Sequence, residues 1–392
     1  MCGPARACLQ TGKYATETGC CVNAVSLPVG EKTLAHYLKE AGYATAYVGK
    51  WHLASDREEN HYEVTNVPAE RRGGYDYWMA ADVLEFTSHG YDGYVFNTAG
   101  ERVDFKGYRA DCITDFALDY IRGQTAEQPF FLFLSHIEPH HQNDHEHFEG
   151  PRGSKEKFKD FVPPADLKGM EGNWREEYPD YLGCCNRLDE NLGRVREALR
   201  RQGLEDNTIV FYLSDHGSHF KTRNWEYKRS CHDASVRIPL VAYGGPFTGG
   251  HVVREMTGLI DLPRTILECA GVEVPAHMRG VSLKELVEGK TPCFRDTIFI
   301  QISESQVGRC IRTPRWKYSV QTGADGWTVF SGDVYYEDCL YDLEADPAEH
   351  NNLAEDPSLA PVRAMLAARL QWEMLQAGKA SPTILPRAAR PR

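Results

Sequence analysis

The sequence predicts an α/β protein: a mostly parallel sheet sandwiched by helices, followed by a small C-terminal antiparallel subdomain. Three observations lead there. A helical pattern followed at once by a short apolar strand occurs three times, those strands are apolar on both faces, and each ends in a cluster of polar residues. In the first unit, residues 31–41 place Leu34, Tyr37, Leu38 and Ala41 on one helical face and stop at Gly42, after which 43–48 reads as a buried strand. In the second, Ile113, Phe116, Ala117, Tyr120 and Ile121 form an amphipathic helix and 129–135 the strand. In the third, Leu188, Leu192, Val195 and Leu199 mark the helix and 208–213 the strand. Ligands of such sheets collect at the carboxyl ends of the strands. Those ends deliver Gly49-Lys50-Trp51-His52, His136 with Pro139-His140-His141, and Ser214-Asp215-His216-Gly217.

Beyond about residue 292 the pattern changes to short alternating strands over 297–303 and 309–320, a turn over 341–347 and a helix over 359–376. The expected organisation is a catalytic α/β domain over 1–291 and a small antiparallel sheet plus helix over 292–392, with the Pro/Arg-rich tail 380–392 loosely held.

With 392 residues, 42% hydrophobic and 11% aromatic, the chain carries enough apolar material for a large core and too much for a disordered binding module. Its net charge of −12 argues against nucleic acid or other polyanions as partners through a global field. No run reaches the roughly 18 apolar residues of a membrane span, and no tripartite leader precedes the first element. As written the chain reads as soluble and cytoplasmic, its compartment left open because an upstream segment could carry an export signal. The 12 cysteines include the adjacent pairs Cys20-Cys21 and Cys184-Cys185 and show no zinc-ligand ladder, so they read as reduced, buried small side chains. Cys2 is the exception. As a plain thiolate it would need a cation nearby, which Arg6 could supply, but its spacing does not fit the Cys-x5-Arg loop of cysteine phosphatases.

Cys2-Gly3-Pro4-Ala5-Arg6 followed by Leu9-Gln10-Thr11-Gly12 closely resembles the sulfatase signature Cys-x-Pro-Ser-Arg-x-x-Leu-x-Thr-Gly, in which the cysteine is oxidised to formylglycine. Ala5 stands where the family has serine. The resemblance runs along the whole chain through Gly49-Lys50-Trp51-His52-Leu53, Pro139-His140, Ser214-Asp215-His216-Gly217, Lys228 with Val236-Arg237-Ile238-Pro239, Asp261-Leu262-Pro263-Arg264-Thr265, and Leu340-Tyr341-Asp342-Leu343 with Asp346-Pro347.

The resemblance implies an alkaline-phosphatase-like fold and hydrolysis of a sulfate ester. A hydroxyl of the hydrated aldehyde at position 2 would attack sulfur, the alcohol would leave, and the sulfated hemiacetal would collapse to sulfate and aldehyde. By the same resemblance Lys50 and Lys228 would hold the sulfate oxygens, Arg6 would brace the formylglycine, His52 would take the proton that lets the hemiacetal collapse, and His140 would bind or protonate the leaving oxygen. Asp215 and His216 would ligate a divalent cation, Ca2+ ahead of Mg2+ or Mn2+ and all ahead of zinc. The implied partners are a small-molecule or saccharide sulfate ester and a formylglycine-generating or anaerobic maturase. The alternatives are a phosphonate or phosphodiester hydrolase of the same superfamily, and an inactive relative that only binds sulfated ligand.

Glu226, His232, Asp233, Arg223 and Arg309 are lesser candidates, with structural ion pairing an equal expectation for each. Of His136, His140, His141, His145 and His147, only His140 matches the family pattern, and the cluster fits no zinc motif. The loops 56–107 and 142–173 are expected to shape specificity. In the family a central strand upstream of the signature supplies two further acidic metal ligands. A chain lacking it is expected to have an open apolar groove, an incomplete metal site and poor activity.

Overall fold

A single tyrosine gathers the aromatic core of the main sheet: Tyr47 stacks on Phe133 at 5.1 Å and on Trp78 at 5.4 Å, and meets the edge of Trp51 at 4.9 Å. These rings belong to adjacent strands, and aromatic pairs at such distances add to the burial that holds a sheet on its helices. The computed structural model describes residues 1–291, 294–378 and 382–389.

The main sheet contains β1 (Ala44–Lys50), β2 (Tyr77–Ala81), β3 (Ser88–His89), β4 (Asp92–Asn97), β5 (Arg102–Lys106) and β6 (Phe130–Ser135), ordered β3-β4-β2-β1-β6 with β5 also on β4. β1 runs parallel to β2 and to β6, while β4 is antiparallel to β2, β3 and β5. The first two predicted helix–strand units are therefore present, as helix Leu34–Glu40 before β1 and helix Arg109–Arg122 before β6. The interval 56–107, expected to be loop, supplies four strands of this sheet instead. Their hairpins close through tight contacts such as Asn97 with Glu101, a local signal weaker than a long apolar run.

Gly49 explains how β1 meets β6 at its functional end. Its φ is +105°, and a Cβ there would fall 2.0 Å from the Ser135 carbonyl oxygen, so any side chain would force apart the two strand ends carrying Lys50 and Ser135.

The third unit is laid out differently from the prediction. Its helix is longer, Trp174–Arg201, with Pro179 tolerated in the second turn. After the small hairpin β7 (His141–Gln142) and β8 (His147–Phe148), its strand β9 (Val210–Leu213) pairs antiparallel with β10 (Leu240–Tyr243) in a separate two-stranded sheet. Within the N-terminal half, parallel pairing among the described residues is thus confined to β2-β1-β6. Between β6 and β9 lies an apolar groove of about 460 Å³, walled by Phe131, Phe133, Phe211, Leu213, Leu192 and Leu262. The two strands face each other across it without sharing a ladder.

The C-terminal sheet is β11 (Ile298–Ile302), β12 (Gly308–Arg312), β13 (Trp316–Gln321), β14 (Val334–Asp342) and β15 (Thr383–Leu385), antiparallel except for β15 on β14. The stretch 309–320 is two strands rather than one, because Pro314 cannot donate to a ladder. The chain turns there, with Thr313 N donating to the Trp316 carbonyl at 2.8 Å. Helix Ala360–Gln376 covers one face through Leu366, Leu370 and Met374. Of the tail expected to be loose, 380, 381 and 390–392 lie outside the described residues, while Thr383–Leu385 is held as β15. The division at 291/292 abuts residues 292 and 293, also outside them. Asn23 N donates to Glu304 across that division at 2.7 Å, and Arg295 pairs with Asp261.

A buried ion pair fixes the segment that carries His140. Arg109 Nε meets Glu138 Oε1 at 2.8 Å with both side chains inaccessible, and Arg109 Nη1 donates to the Ser88 carbonyl and Gln142 Oε1, each at 3.1 Å. Removing one member strands the other charge. Arg109→Met is expected to lower stability by about 3 kcal/mol or more, read as a fall in the urea midpoint at unchanged slope.

Candidate active site

Cys2 opens the helix Cys2–Thr11, which Gly12 ends in the left-handed conformation at φ 69°. Pro4 is harmless in the first turn, where its missing N–H costs no helical bond, and the orphan Gly3 N–H is donated to Asn23 Oδ1 at 2.9 Å. The thiol is buried at the positive end of the helix, pointing into the rim formed by three other segments.

Those segments bring a lysine and two histidines to it. Lys228 Nζ lies 3.2 Å from Cys2 Sγ, 2.9 Å from His140 Nε2 and 3.3 Å from His216 Nε2, and His216 Nε2 lies 3.1 Å from the sulfur. The tautomers follow from the neighbours. His140 Nδ1 faces the His141 carbonyl at 2.6 Å and His216 Nδ1 the Gly217 carbonyl at 2.9 Å; a carbonyl only accepts, so both Nδ1 atoms carry hydrogen and both Nε2 atoms face the cleft. The Tyr227 hydroxyl, which donates to Asn143 Oδ1 at 3.1 Å, lies 3.3 Å from His140 Nε2.

This grouping dictates the protonation states. Burial pushes the Cys2 thiol up, but Lys228, Lys50 and His216 outweigh it and hold the thiol well below its usual range. Burial works against the Lys228 cation, yet the Cys2 thiolate, Tyr227 and Glu85 raise it above an ordinary lysine. His140 is lowered to about 4 by burial and by the cations Lys228 and Lys50, so it is a neutral base at pH 7.

Arg6, one turn beyond Cys2, reaches behind the site. Its Nη1 donates to Ser135 Oγ at 2.7 Å, to the Lys50 carbonyl at 2.8 Å and to the Tyr47 hydroxyl at 3.3 Å, while Nε lies 3.3 Å from Asp215 Oδ2. It thereby ties helix, β1, β6 and the turn after β9 together.

Lys50 is at the rim but not free. Its Nζ meets Glu85 Oε2 at 2.6 Å, both side chains buried, so the predicted sulfate-binding lysine arrives already paired. Glu85 is the residue the sequence reading missed. Nothing in Asp82-Val-Leu-Glu85 names it, and its only signal is an acidic pair just past the end of a buried strand.

His52 follows at φ 61°, close to the same pair. Its unusual backbone is held by Asp82, whose carboxylate accepts the N–H groups of Leu53, Ala54 and Ser55 at 2.8–3.0 Å. The His52 Nδ1 atom is buried and makes no hydrogen bond. Trp51 is fully buried among aromatic rings, a packing residue as expected.

The remaining candidates have structural partners. His136 pairs with Thr114 at 2.8 Å, His141 stacks on Tyr227, and His145 pairs with Glu149. Glu226 pairs with Arg229, His232 with the Tyr341 hydroxyl at 2.9 Å, and Asp233 with Lys317. Arg223 binds the carbonyls of Ala348 and Glu349, and Arg309 those of Gly308 and Phe330. None of these five reaches Cys2 through a described contact.

Asp215 and His216 suit a divalent cation in kind. Despite burial, His216 and Arg6 hold the Asp215 carboxyl down to about 2, so it is ionised, and His216 turns Nε2 toward Cys2. They do not suffice in number, since a hard cation takes six or more donors. Among the described residues, Cys2, His140 and His216 form the group of potential ligands at this point.

Two family profiles match: one described as Sulfatase over residues 1–272, the other as N-sulphoglucosamine sulphohydrolase, C-terminal, over 222–376. The chain belongs to the sulfatase family. It is 30% identical to an ulvan-active sulfatase of Formosa agariphila over 96% of this chain and 72% of that protein. It is 26% identical to an N-acetylglucosamine-6-O-sulfatase of Bacteroides thetaiotaomicron over 90% of this chain and 74% of the relative. A structure solved with its substrate D-glucosamine-2-N,6-O-disulfate superposes with a TM-score of 0.76 at 23% identity, covering 97% of this chain and 89% of the other, and shares the alkaline-phosphatase-like fold. This sulfatase is accordingly a sulfuric ester hydrolase, of a family whose chemistry generally uses formylglycine and a divalent cation.

Two outcomes test the frame of the site. Burial raises the Glu85 carboxyl, but Lys50, His140 and His52 pull it well below the usual range. A carboxyl depressed on folding stabilises above its unfolded pKa of about 4.3 and stops doing so as pH falls through the folded value. The stability gap between the native chain and Glu85→Gln is therefore expected to be full at pH 7 and to close below about pH 4, measured by urea titration at each pH. Asp82→Ala is expected to cost about 3 kcal/mol by orphaning three buried N–H groups, with Asp82→Asn recovering part of the loss.

Proposed function

We propose that this chain hydrolyses the sulfate ester of a saccharide, using formylglycine formed from Cys2 by a formylglycine-generating or anaerobic maturase. The observation that carries the reading is the meeting of Cys2, His140, His216 and Lys228 through contacts of 3.3 Å or less, from three regions far apart in sequence, with His216 and Lys228 in one of them. When formed, the hydrated aldehyde supplies the hydroxyl nucleophile. Saccharide substrates are favoured because the relatives described above are named for ulvan and N-acetylglucosamine-6-sulfate chemistry.

The protein's own groups divide the remaining work. Lys228 and Lys50 present positive charge to the sulfuryl oxygens, with Glu85 keeping Lys50 extended into the cleft. Arg6 fixes residue 2 against the strand ends. His140, oriented by the His141 carbonyl and Tyr227, turns Nε2 to the leaving oxygen, and His52 takes the proton from residue 2 in the second half of the cycle. Asp215 and His216 contribute two donors to the divalent cation, Ca2+ being the ion we favour, which would neutralise sulfate charge.

Sulfate release from N-acetylglucosamine 6-sulfate and from an aryl sulfate, compared with turnover of an aryl phosphonate, tests the reading. Sulfate esters are expected to turn over faster, Cys2→Ala to abolish turnover, and Lys228→Met to cut kcat by about 10² or more. Faster phosphonate turnover would favour the phosphonate hydrolase. A Cys2 peptide that keeps its thiol mass in protein that binds sulfated sugar without turnover would mark an inactive relative.

A further inference from the structure

Away from the active site, three cysteines and a histidine converge where the catalytic half meets the C-terminal sheet. Cys310 on β12, Ser319 on β13 and Cys339 on β14 are cross-strand partners in one row, Cys310 opposite Ser319 and Ser319 opposite Cys339. Residues directly opposite in an antiparallel sheet present their side chains to the same face. Onto that face comes Cys231, packed with Cys310 and Cys339 in one buried cluster. Ile300, Ile302, Tyr341 and Leu343 surround the sulfurs, and all three thiols are buried and free.

Two buried polar atoms are left over there. Ser319 Oγ is fully buried and His232 is more than nine-tenths buried, yet Ser319 Oγ and His232 Nδ1 make no hydrogen bond. Orphaned polar atoms in an apolar pocket are costly and call for an explanation. The ligand atoms of Cys231, His232 and Cys339 lie within 4.8 Å of one another. Sulfurs on a tetrahedral ion with bonds of about 2.3 Å would stand about 3.8 Å apart, so small side-chain movements bring Cys231, His232 and Cys339 onto one ion, while Cys310, in the same buried cluster, lies outside that group and has further to move.

We propose that Cys231, Cys339 and His232, with Cys310 as the fourth ligand, bind a soft tetrahedral ion of the Zn2+ class. Three thiolates and an imidazole are a donor set for zinc and a poor one for Ca2+ or Mg2+, so this ion would not compete for the oxygen-bound cation near Cys2. On binding, the three S–H protons pass to solvent as three metal–sulfur bonds form, with no change of oxidation state. His232 Nε2 is taken by the Tyr341 hydroxyl at 2.9 Å, which leaves the unpartnered Nδ1 as the donor for the ion. Cys231 lies three residues after Lys228, so the ion would pin the turn carrying that lysine to two strands of the C-terminal sheet. The proposal does not rest on the substrate reading.

The test uses the full chain purified without reductant, loaded with Zn2+ for elemental analysis and with Co2+ for absorption. Expected are one zinc per chain surviving gel filtration, and Co2+ giving thiolate charge-transfer bands with strong tetrahedral d–d bands. Both signals should persist in Cys2→Ser, and affinity should fall about 100-fold or more in Cys231→Ser or Cys339→Ser variants that keep the native circular dichroism. The proposal is overturned if the native chain retains no zinc and shows no such bands. Loss of the bands in Cys2→Ser but not in Cys231→Ser would also overturn it, as would a Cys231 disulfide to Cys310 or Cys339 found by peptide mapping.

Discussion

One guanidinium carries the alignment of the active site. Arg6 holds the ends of β1 and β6 through the Lys50 carbonyl and Ser135, and reaches Asp215 beyond β9, while its own helix places Cys2 one turn earlier. A buried cation is tolerable only where every neighbour is arranged to receive it. Tyr47 and Ser135 both donate to the same Lys50 carbonyl that accepts from Arg6, so the strand ends are locked to each other as well as to the guanidinium. The register of three segments thus converges on one side chain.

Around that anchor the site is an exercise in charge placement. Lys228, Lys50 and Arg6 crowd a small volume that holds the thiol, Asp215 and Glu85 as counter-charges. The charges pair off three against three, with the Nε2 atoms of two imidazoles beside Lys228. Charges fixed in a water-poor cleft need no reorganisation when negative charge develops, which is how such sites lower barriers. The His52 loop shows what that costs locally, since an unfavourable backbone angle persists only because Asp82 occupies three neighbouring N–H groups.

Much of this could be read from the residues in order. Strand-end clusters at Lys50, His140 and Asp215 arise because apolar runs and their polar termini are local patterns, and those clusters do meet Cys2. Glu85 escaped because its partner is 35 residues away and its neighbourhood carries no periodicity. The four strands between 77 and 106 escaped for a related reason: short hairpins at a sheet edge alternate weakly, and their pairing is decided by neighbours distant in sequence. The antiparallel pairing of β9 with β10, and the splitting of 309–320 at Pro314, show where run length alone misleads and a single proline informs.

The groove between β6 and β9 gives the fold an unusual mechanical property. Its two lips end in Ser135 and Ser214-Asp215, and Arg6 spans them. Sliding one lip past the other by a single residue, about 3.3 Å, would exceed the reach of the bonds that Arg6 makes. With no shared ladder between the lips among the described residues, their spacing rests on that side chain, one helical turn from residue 2.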